Sequence, residues 1–166
     1  MSISSEDDAP LSGGCACGQL RYRLTAAPMF VHCCHCSYCQ RQTGSAFAVN
    51  ALIERSHLDL LSAEPEPIEL ATPSGKGQRV FRCPECRIAV WSHYAVMGNK
   101  VAFVRVGTLD EPQRCPPDVH IHTTRRLPWV RLPRTARAFE AYYEPKQEWP
   151  LESRQRFLAL KHSSAD

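Results

Sequence analysis

The sequence predicts a mainly β domain, and three observations carry the prediction. Thirteen prolines in 166 residues work against long helices. Apolar and polar residues alternate singly in short runs, the period of a half-buried strand. About seven such runs can be picked out, with little helix between them. The length fits one domain with a sizeable core, so folding need not depend on staples.

The elements follow in chain order. Residues 1 to 11 are polar and read as a flexible arm. Leu20, Tyr22 and Leu24 alternate with Gln19, Arg21 and Arg23, which predicts the first strand. MFVHC (29–33) and AFAVNALI (46–53) predict two more, with CSYCQRQTG between them as a tight turn holding one helical turn. The stretch 62–77 has three prolines and two glycines, and reads as loops around a short strand at Ile68 to Leu70. QRVFRC leads into a cysteine pair. Residues 88–94 and 100–109 are β-rich by composition, joined by a hairpin turn at Gly98 and Asn99. VHIHTT (119–124) predicts a last strand, and Leu151 to Lys161 a short helix. Trp91 and Tyr94 are expected in the core or at its rim, and Trp129 is expected to pack the C-terminal segment down. The expected organisation is a flexible N-terminus (1–11), one main folded domain that holds all nine cysteines (12–140) and a C-terminal extension (141–166).

A net charge of +3 is too mild to indicate a nucleic-acid partner. The competing reading is a non-catalytic binding module that uses the basic residues Arg125, Arg126, Arg131, Arg134 and Arg137. No apolar run approaches the roughly 18 residues of a membrane span. The N-terminus MSISSEDDAP lacks the apolar core of a signal peptide. A cytoplasmic protein with reduced thiols is expected, and nine cysteines there are ligands rather than disulfides. Nothing in the sequence fixes an oligomeric state.

Spacing sorts those cysteines. Cys15 and Cys17 form a CxC, Cys34, Cys36 and Cys39 a CxCxxC, and Cys83 and Cys86 a CxxC. Such spacings bring sulfurs together on one turn of backbone, as a tetrahedral zinc with bonds of about 2.3 Å requires. Seven ligands divide as four plus three. A structural zinc is closed by four protein ligands and a catalytic one keeps a position open. The CxCxxC can supply three ligands alone, while the other two pairs could close a four-thiolate site. Spacing leaves two alternatives open: Cys15 and Cys17 could pair with Cys36 and Cys39, and His32, His35 or His93 could complete the second site. Cys33 and Cys115 are left over and read as small buried residues, Cys115 with more chance of exposure.

GGCACGQLRY, CHCSYCQRQTGSAF, FRCPEC and VGTLDEP, in that order, closely resemble the glutathione-dependent formaldehyde-activating enzyme family, which also includes the centromere protein V domain. The resemblance implies an Mss4-like fold of short antiparallel strands clasped by zinc. It implies two Zn²⁺ sites: a structural one at Cys15, Cys17, Cys83 and Cys86, and an open one at Cys34, Cys36 and Cys39 that faces substrate. It also implies a carbon–sulfur lyase that joins formaldehyde and glutathione into S-hydroxymethylglutathione, with a small thiol as partner. One departure stands out. The family often has glycine after its second CxxC, and here Arg87 follows, so either the turn differs or it needs no positive φ.

Three thiolates on Zn²⁺ make a weaker Lewis acid than three imidazoles would, which fits thiolate capture better than zinc-hydroxide hydrolysis. Ser37, Gln40, Thr43 and Ser45 flank the open site and could hydrogen-bond its sulfurs or a substrate. Arg41 is a candidate for a substrate carboxylate, with Arg125 and Arg126 as further candidates. His120 and His122, read as alternate strand residues, are expected on one side of the sheet, buried and hydrogen-bonded.

Overall fold

The structure is a computed structural model that describes residues 9–162. Among these residues are ten strands and three α-helices. Strands β1 (Leu11–Gly14), β2 (Arg21–Leu24) and β5 (Leu58–Leu60) form a three-stranded sheet in the order β1-β2-β5. The other seven form one sheet in the order β10-β3-β4-β9-β8-β7-β6. They are β3 (Phe30–Cys34), β4 (Ala48–Glu54), β6 (Glu66–Leu70), β7 (Gln78–Arg82), β8 (Ala89–Tyr94), β9 (Val101–Arg105) and β10 (Val119–Ile121). The sheet is antiparallel except where β10 runs parallel to β3.

The predicted strands are all found, most of them shortened by a few residues, whereas the one expected at Ile68 to Leu70 begins earlier, at Glu66. Three more are added: β7 in QRVFR, and two that composition does not reveal. β1 is LSGG, which has no alternation to read, and β5 spans three residues. Leu11 opens β1 and is buried, and residues 1–8 lie outside the described residues. The connection at 95–100 is not a two-residue hairpin turn. It is a 3-10 segment in which Gly98 alone takes positive φ (58°).

Register assigns side chains to the two faces of the large sheet. Cys34 pairs with Ala48, His32 with Asn50, and Asn50 with Arg105; Phe30 pairs with Leu52, Leu52 with Phe103 and Phe103 with Ser92. Directly paired residues point the same way, as do residues two apart. Cys34, Asn50, Arg105, Phe103 and Ser92 therefore share one face, and Val31, Ala51, Ile53 and Val104 the other.

Each face has its own core. The second set packs against the small sheet through Leu11, Leu20, Tyr22, Leu24 and Leu58. Trp91 lies between, stacked on Phe81 and edge-on to Tyr22. The Cys34 face is covered by helix α1 (Ser37–Thr43) and by the C-terminal segment with α2 (Pro145–Glu148) and α3 (Leu151–His162). There Trp149 stacks on Phe30 at 5.6 Å and donates its indole N–H to Tyr143 Oη. Glu54 on β4 holds Arg156 of α3 through both carboxylate oxygens, at 2.7 and 2.6 Å. Trp129, expected to do this packing, is instead exposed. It sits in a turn of a proline-rich stretch, closed by the Val130 amide on Leu127 O, and Tyr143 and Trp149 reach the core in its place.

Candidate metal centres

All nine cysteines are free thiols. Two groups of sulfurs converge, one on each face of the large sheet. The turn after β1 carries Cys15 and Cys17, and the turn after β7 carries Cys83 and Cys86. Their four Sγ atoms lie within 4.8 Å of one another. The Cys15–Cys17 and Cys17–Cys83 separations are 3.3 and 3.7 Å. Four sulfurs about a zinc with bonds of about 2.3 Å would sit roughly 3.8 Å apart, so the donor set fits that ion. Burial resists ionisation of Cys15. Hydrogen bonds from the Leu20 amide and from the neighbouring thiols still bring it down to about 6, so a metal would find a ready thiolate.

The backbone of the second turn answers the question raised by Arg87. Its φ is +62°, so the positive-φ requirement persists with arginine in a place suited to glycine. The Arg87 amide donates to Cys83 O and the Cys83 amide to Ile88 O, both at 3.0 Å, which closes the turn around the sulfurs.

Cys34, Cys36 and Cys39 form the other group, again within 4.8 Å of one another. Cys34 ends β3. Cys36 is the N-cap of α1, with extended backbone, and its Sγ accepts the Cys39 amide at 3.3 Å. Cys39 lies on the buried face of the helix, which Gly44 ends in the left-handed conformation. Hydrogen bonds from Cys34 and Cys39 pull the Cys36 thiol down to about 2, and those that Cys34 shares with Cys36 and Cys39 push Cys34 up. The three sulfurs thus act as one acid that loses its first proton readily. Cys36 is the half-exposed member, so access to the group is from its side.

Cys33 stays out of this group because it is one residue from Cys34 and the pleat turns it to the other face. It is buried, with its Sγ 3.5 Å from His35 Nε2, and that nitrogen is 3.0 Å from His120 Nδ1. None of the three candidate histidines joins the Cys34 group: His93 Nδ1 donates to Val101 O at 2.7 Å, and His32 packs among Phe103, Tyr142 and Tyr143. His120 is half-buried and hydrogen-bonded as expected. His122 does not share its side, because β10 ends at Ile121 and His122 is left-handed, beside Tyr142. Cys115 is buried in the small-sheet core.

The polar neighbours do not bond the sulfurs. Gln40 Nε2 donates to the carbonyls of His35 and Arg125, and Thr43 Oγ1 to those of Cys39 and Phe47. They brace α1 instead. Arg41 is exposed on its last turn. Arg126 turns back to Val130 O and Arg137 pairs with Glu148, while Arg125 points to solvent. A different arginine, Arg105 on β9, is the one buried beside this centre. Strand composition gave no signal for it.

Beyond α1, a cleft of about 390 Å³ opens between the start of β4, the ends of β7 and β9 and the turn carrying Cys86. Gln42, Thr43, Phe47, Arg82, Arg87 and Arg105 are among its walls.

The arrangement defines a small mainly β protein with two cysteine centres, each able to hold a metal ion. The chain belongs to the glutathione-dependent formaldehyde-activating enzyme family, whose pattern its residues 10–125 match. Among solved structures it is similar to a Rhodobacter sphaeroides protein, at 16% identity over 77% of this chain and 98% of that one, with a TM-score of 0.44. No curated protein matches it. No helix among the described residues is long and apolar enough to cross a membrane.

Proposed function

We propose that the protein is a zinc-dependent carbon–sulfur lyase, cytoplasmic, that joins formaldehyde to a small thiol such as glutathione and reverses the reaction. The observation that carries this is the unequal donor count: four sulfurs at Cys15, Cys17, Cys83 and Cys86, but three at Cys34, Cys36 and Cys39. Four thiolates complete a tetrahedron, and three leave one position for a ligand from outside. Family membership supplies the substrates, formaldehyde and glutathione. Nine free thiols suit a reducing compartment.

Bound zinc would supply a seat on which an incoming thiol is held as thiolate. The chain's own residues do the rest. Cys36 Sγ is fixed by the Cys39 amide, and α1 is braced by Gln40 and Thr43, so the three sulfurs keep their spacing when a ligand arrives. In the forward direction the substrate sulfur adds to the formaldehyde carbon. The C–S bond forms as the carbonyl π bond breaks, and the proton lost by the thiol ends on the new hydroxyl. Nothing is oxidised or reduced. Arg41, exposed on the last turn of α1, belongs to this proposal only as an outer contact for a substrate carboxylate.

The test is the exchange between formaldehyde and S-hydroxymethylglutathione, followed by NMR with zinc-loaded protein. Cys36→Ser is expected to slow it by about 100-fold, the equivalent of about 2.7 kcal/mol in the barrier. Wild-type exchange no faster than the buffer control would sink the lyase reading.

A further inference from the structure

Arg105 is 8% exposed, yet neither of its side-chain partners carries a charge. Its Nη1 donates to Asn50 Oδ1, and its Nη2 to Gln42 Oε1 at 2.8 Å. Among the described residues no carboxylate pairs with it. The same fold treats its other buried charge differently: Glu54, 5% exposed, has both oxygens on Arg156. The cysteine centre is the nearest source of negative charge, but it makes no hydrogen bond to the guanidinium, so a buried cation with N–H groups to spare has room for a carboxylate from outside the chain.

The guanidinium is also held in place. Gln42 Nε2 donates to Gln78 Oε1, and Gln78 Nε2 donates to Ser92 Oγ, each at 2.8 Å. This chain of amides crosses the sheet and leaves Gln42 Oε1 as the acceptor presented to Arg105. Protein oxygens occupy two of the five guanidinium N–H groups, and the residue forms part of the cleft wall. Arg82 stands on the same wall, donates to Arg87 O and has no carboxylate partner among the described residues, whereas Arg87 is paired with Glu66. Among the described residues no acidic side chain lines the cleft, and Phe47 and Ile88 give it an apolar side. A volume of about 390 Å³ lies in the ordinary range for small-molecule sites. The cleft starts at Gln42 and Thr43, about one helical turn beyond Cys39, and Cys39 is within electrostatic reach of Arg105.

We infer that this cleft is a carboxylate site, in which Arg105, helped by Arg82, anchors the acidic end of the thiol substrate and so selects anionic thiols over uncharged ones. The inference rests on the thiol reading of the three-cysteine centre. Arginine suits the task because its planar fork matches a carboxylate with two parallel hydrogen bonds.

The experiment has a binding arm and a kinetic arm. S-methylglutathione, which keeps both carboxylates but has no thiol to ionise, is titrated into the zinc-loaded protein by calorimetry beside its diethyl ester. The acid is expected to bind at least about 10-fold more tightly than the ester, as loss of one charge-assisted contact implies. Equal binding overturns the proposal without using any variant. In the kinetic arm, kcat/KM for formaldehyde addition is compared between glutathione and 2-mercaptoethanol. Arg105→Gln is expected to cut the preference for glutathione by about 10-fold or more, mainly through KM, with Arg105→Lys intermediate. Loss of both thiols in equal proportion would assign Arg105 to the charge balance of the cysteine centre and overturn its role as a selector. Should Arg105→Gln fail to fold, Arg82→Gln on the cleft wall must lower the same preference. Failure of the lyase reading looks different: neither thiol reacts faster than in buffer, while the calorimetric difference still decides whether the anion site exists.

Discussion

The two cysteine centres sit on opposite faces of one sheet and are built in opposite ways. The four-sulfur centre joins turns that are 66 residues apart at Cys17 and Cys83. The three-sulfur centre is assembled within six consecutive residues, from the end of β3 to the first turn of α1. A long-range centre closes a large loop and stabilises what it closes, whereas a local one contributes little to chain entropy. The second can therefore keep an unfilled position without endangering the fold. The surroundings agree. The four-sulfur centre borders the core between the two sheets, and the three-sulfur centre borders the core under the C-terminal segment, with Cys36 half-exposed.

The largest expected effect tests this division directly. With both sites zinc-loaded, Cys83→Ser should lower stability by at least about 5 kcal/mol, a fraction of the roughly 10–16 kcal/mol that structural zinc contributes in small domains. Cys36→Ser should stay within about 1 kcal/mol of wild type while losing activity. Urea denaturation of both variants, with zinc counted per chain, measures the contrast. Graded chelation should remove one zinc with the far-ultraviolet signal intact, and the second only with cooperative unfolding. Equal losses of stability in the two variants would break the comparison.

A smaller effect tests what supports the three-sulfur face. Trp149, Tyr143 and Phe30 belong to the same buried cluster as Cys34 and Cys39. Trp149→Ala leaves a cavity there and deprives Tyr143 Oη of its donor, which should cost about 3 kcal/mol. The same variant should weaken Co²⁺ binding at the three-sulfur centre, read from its thiolate charge-transfer band, and leave the four-sulfur centre unchanged. If both centres weaken alike, the faces are not independent.

Much of this was legible in the residues. Alternation located the strands with polar outward faces, such as Leu20 to Leu24, and spacing separated the cysteines into their two groups. What spacing could not convey is that the groups lie on opposite faces. That depends on the pleat and on the strand order β3-β4-β9-β8-β7, which leaves three strands between the Cys34 strand and the one that leads into Cys83. Arg105 escaped notice for a related reason. In a strand pattern a lone arginine reads as solvent-facing, and only its pairing with Asn50 under α1 reveals its burial. Trp129 and Trp149 are alike as letters, each beside a proline, and only tertiary packing decides which one is buried.

The smallest effect concerns the turn that holds Cys83 and Cys86. Left-handed backbone costs a residue with a Cβ about 1–2 kcal/mol, and Arg87 bears that cost at φ +62°. Its exposed ion pair with Glu66 returns little. Comparing Arg87→Gly with Arg87→Ala isolates the backbone, because both remove the ion pair and only alanine keeps the Cβ. The glycine variant should be the more stable by about 1 kcal/mol in urea denaturation, the strain relieved being partly offset by the greater freedom of glycine in the unfolded chain. Equal stabilities would mean that the turn relaxes out of the left-handed region. The hydrogen bonds from Arg87 to Cys83 and from Cys83 to Ile88 would then have to reorganise, and with them the spacing of the four sulfurs. A turn that holds its strained conformation even with arginine is what a closed, rigid centre requires. The three-sulfur centre has no such turn: its helix ends at Gly44, where left-handed backbone meets no Cβ.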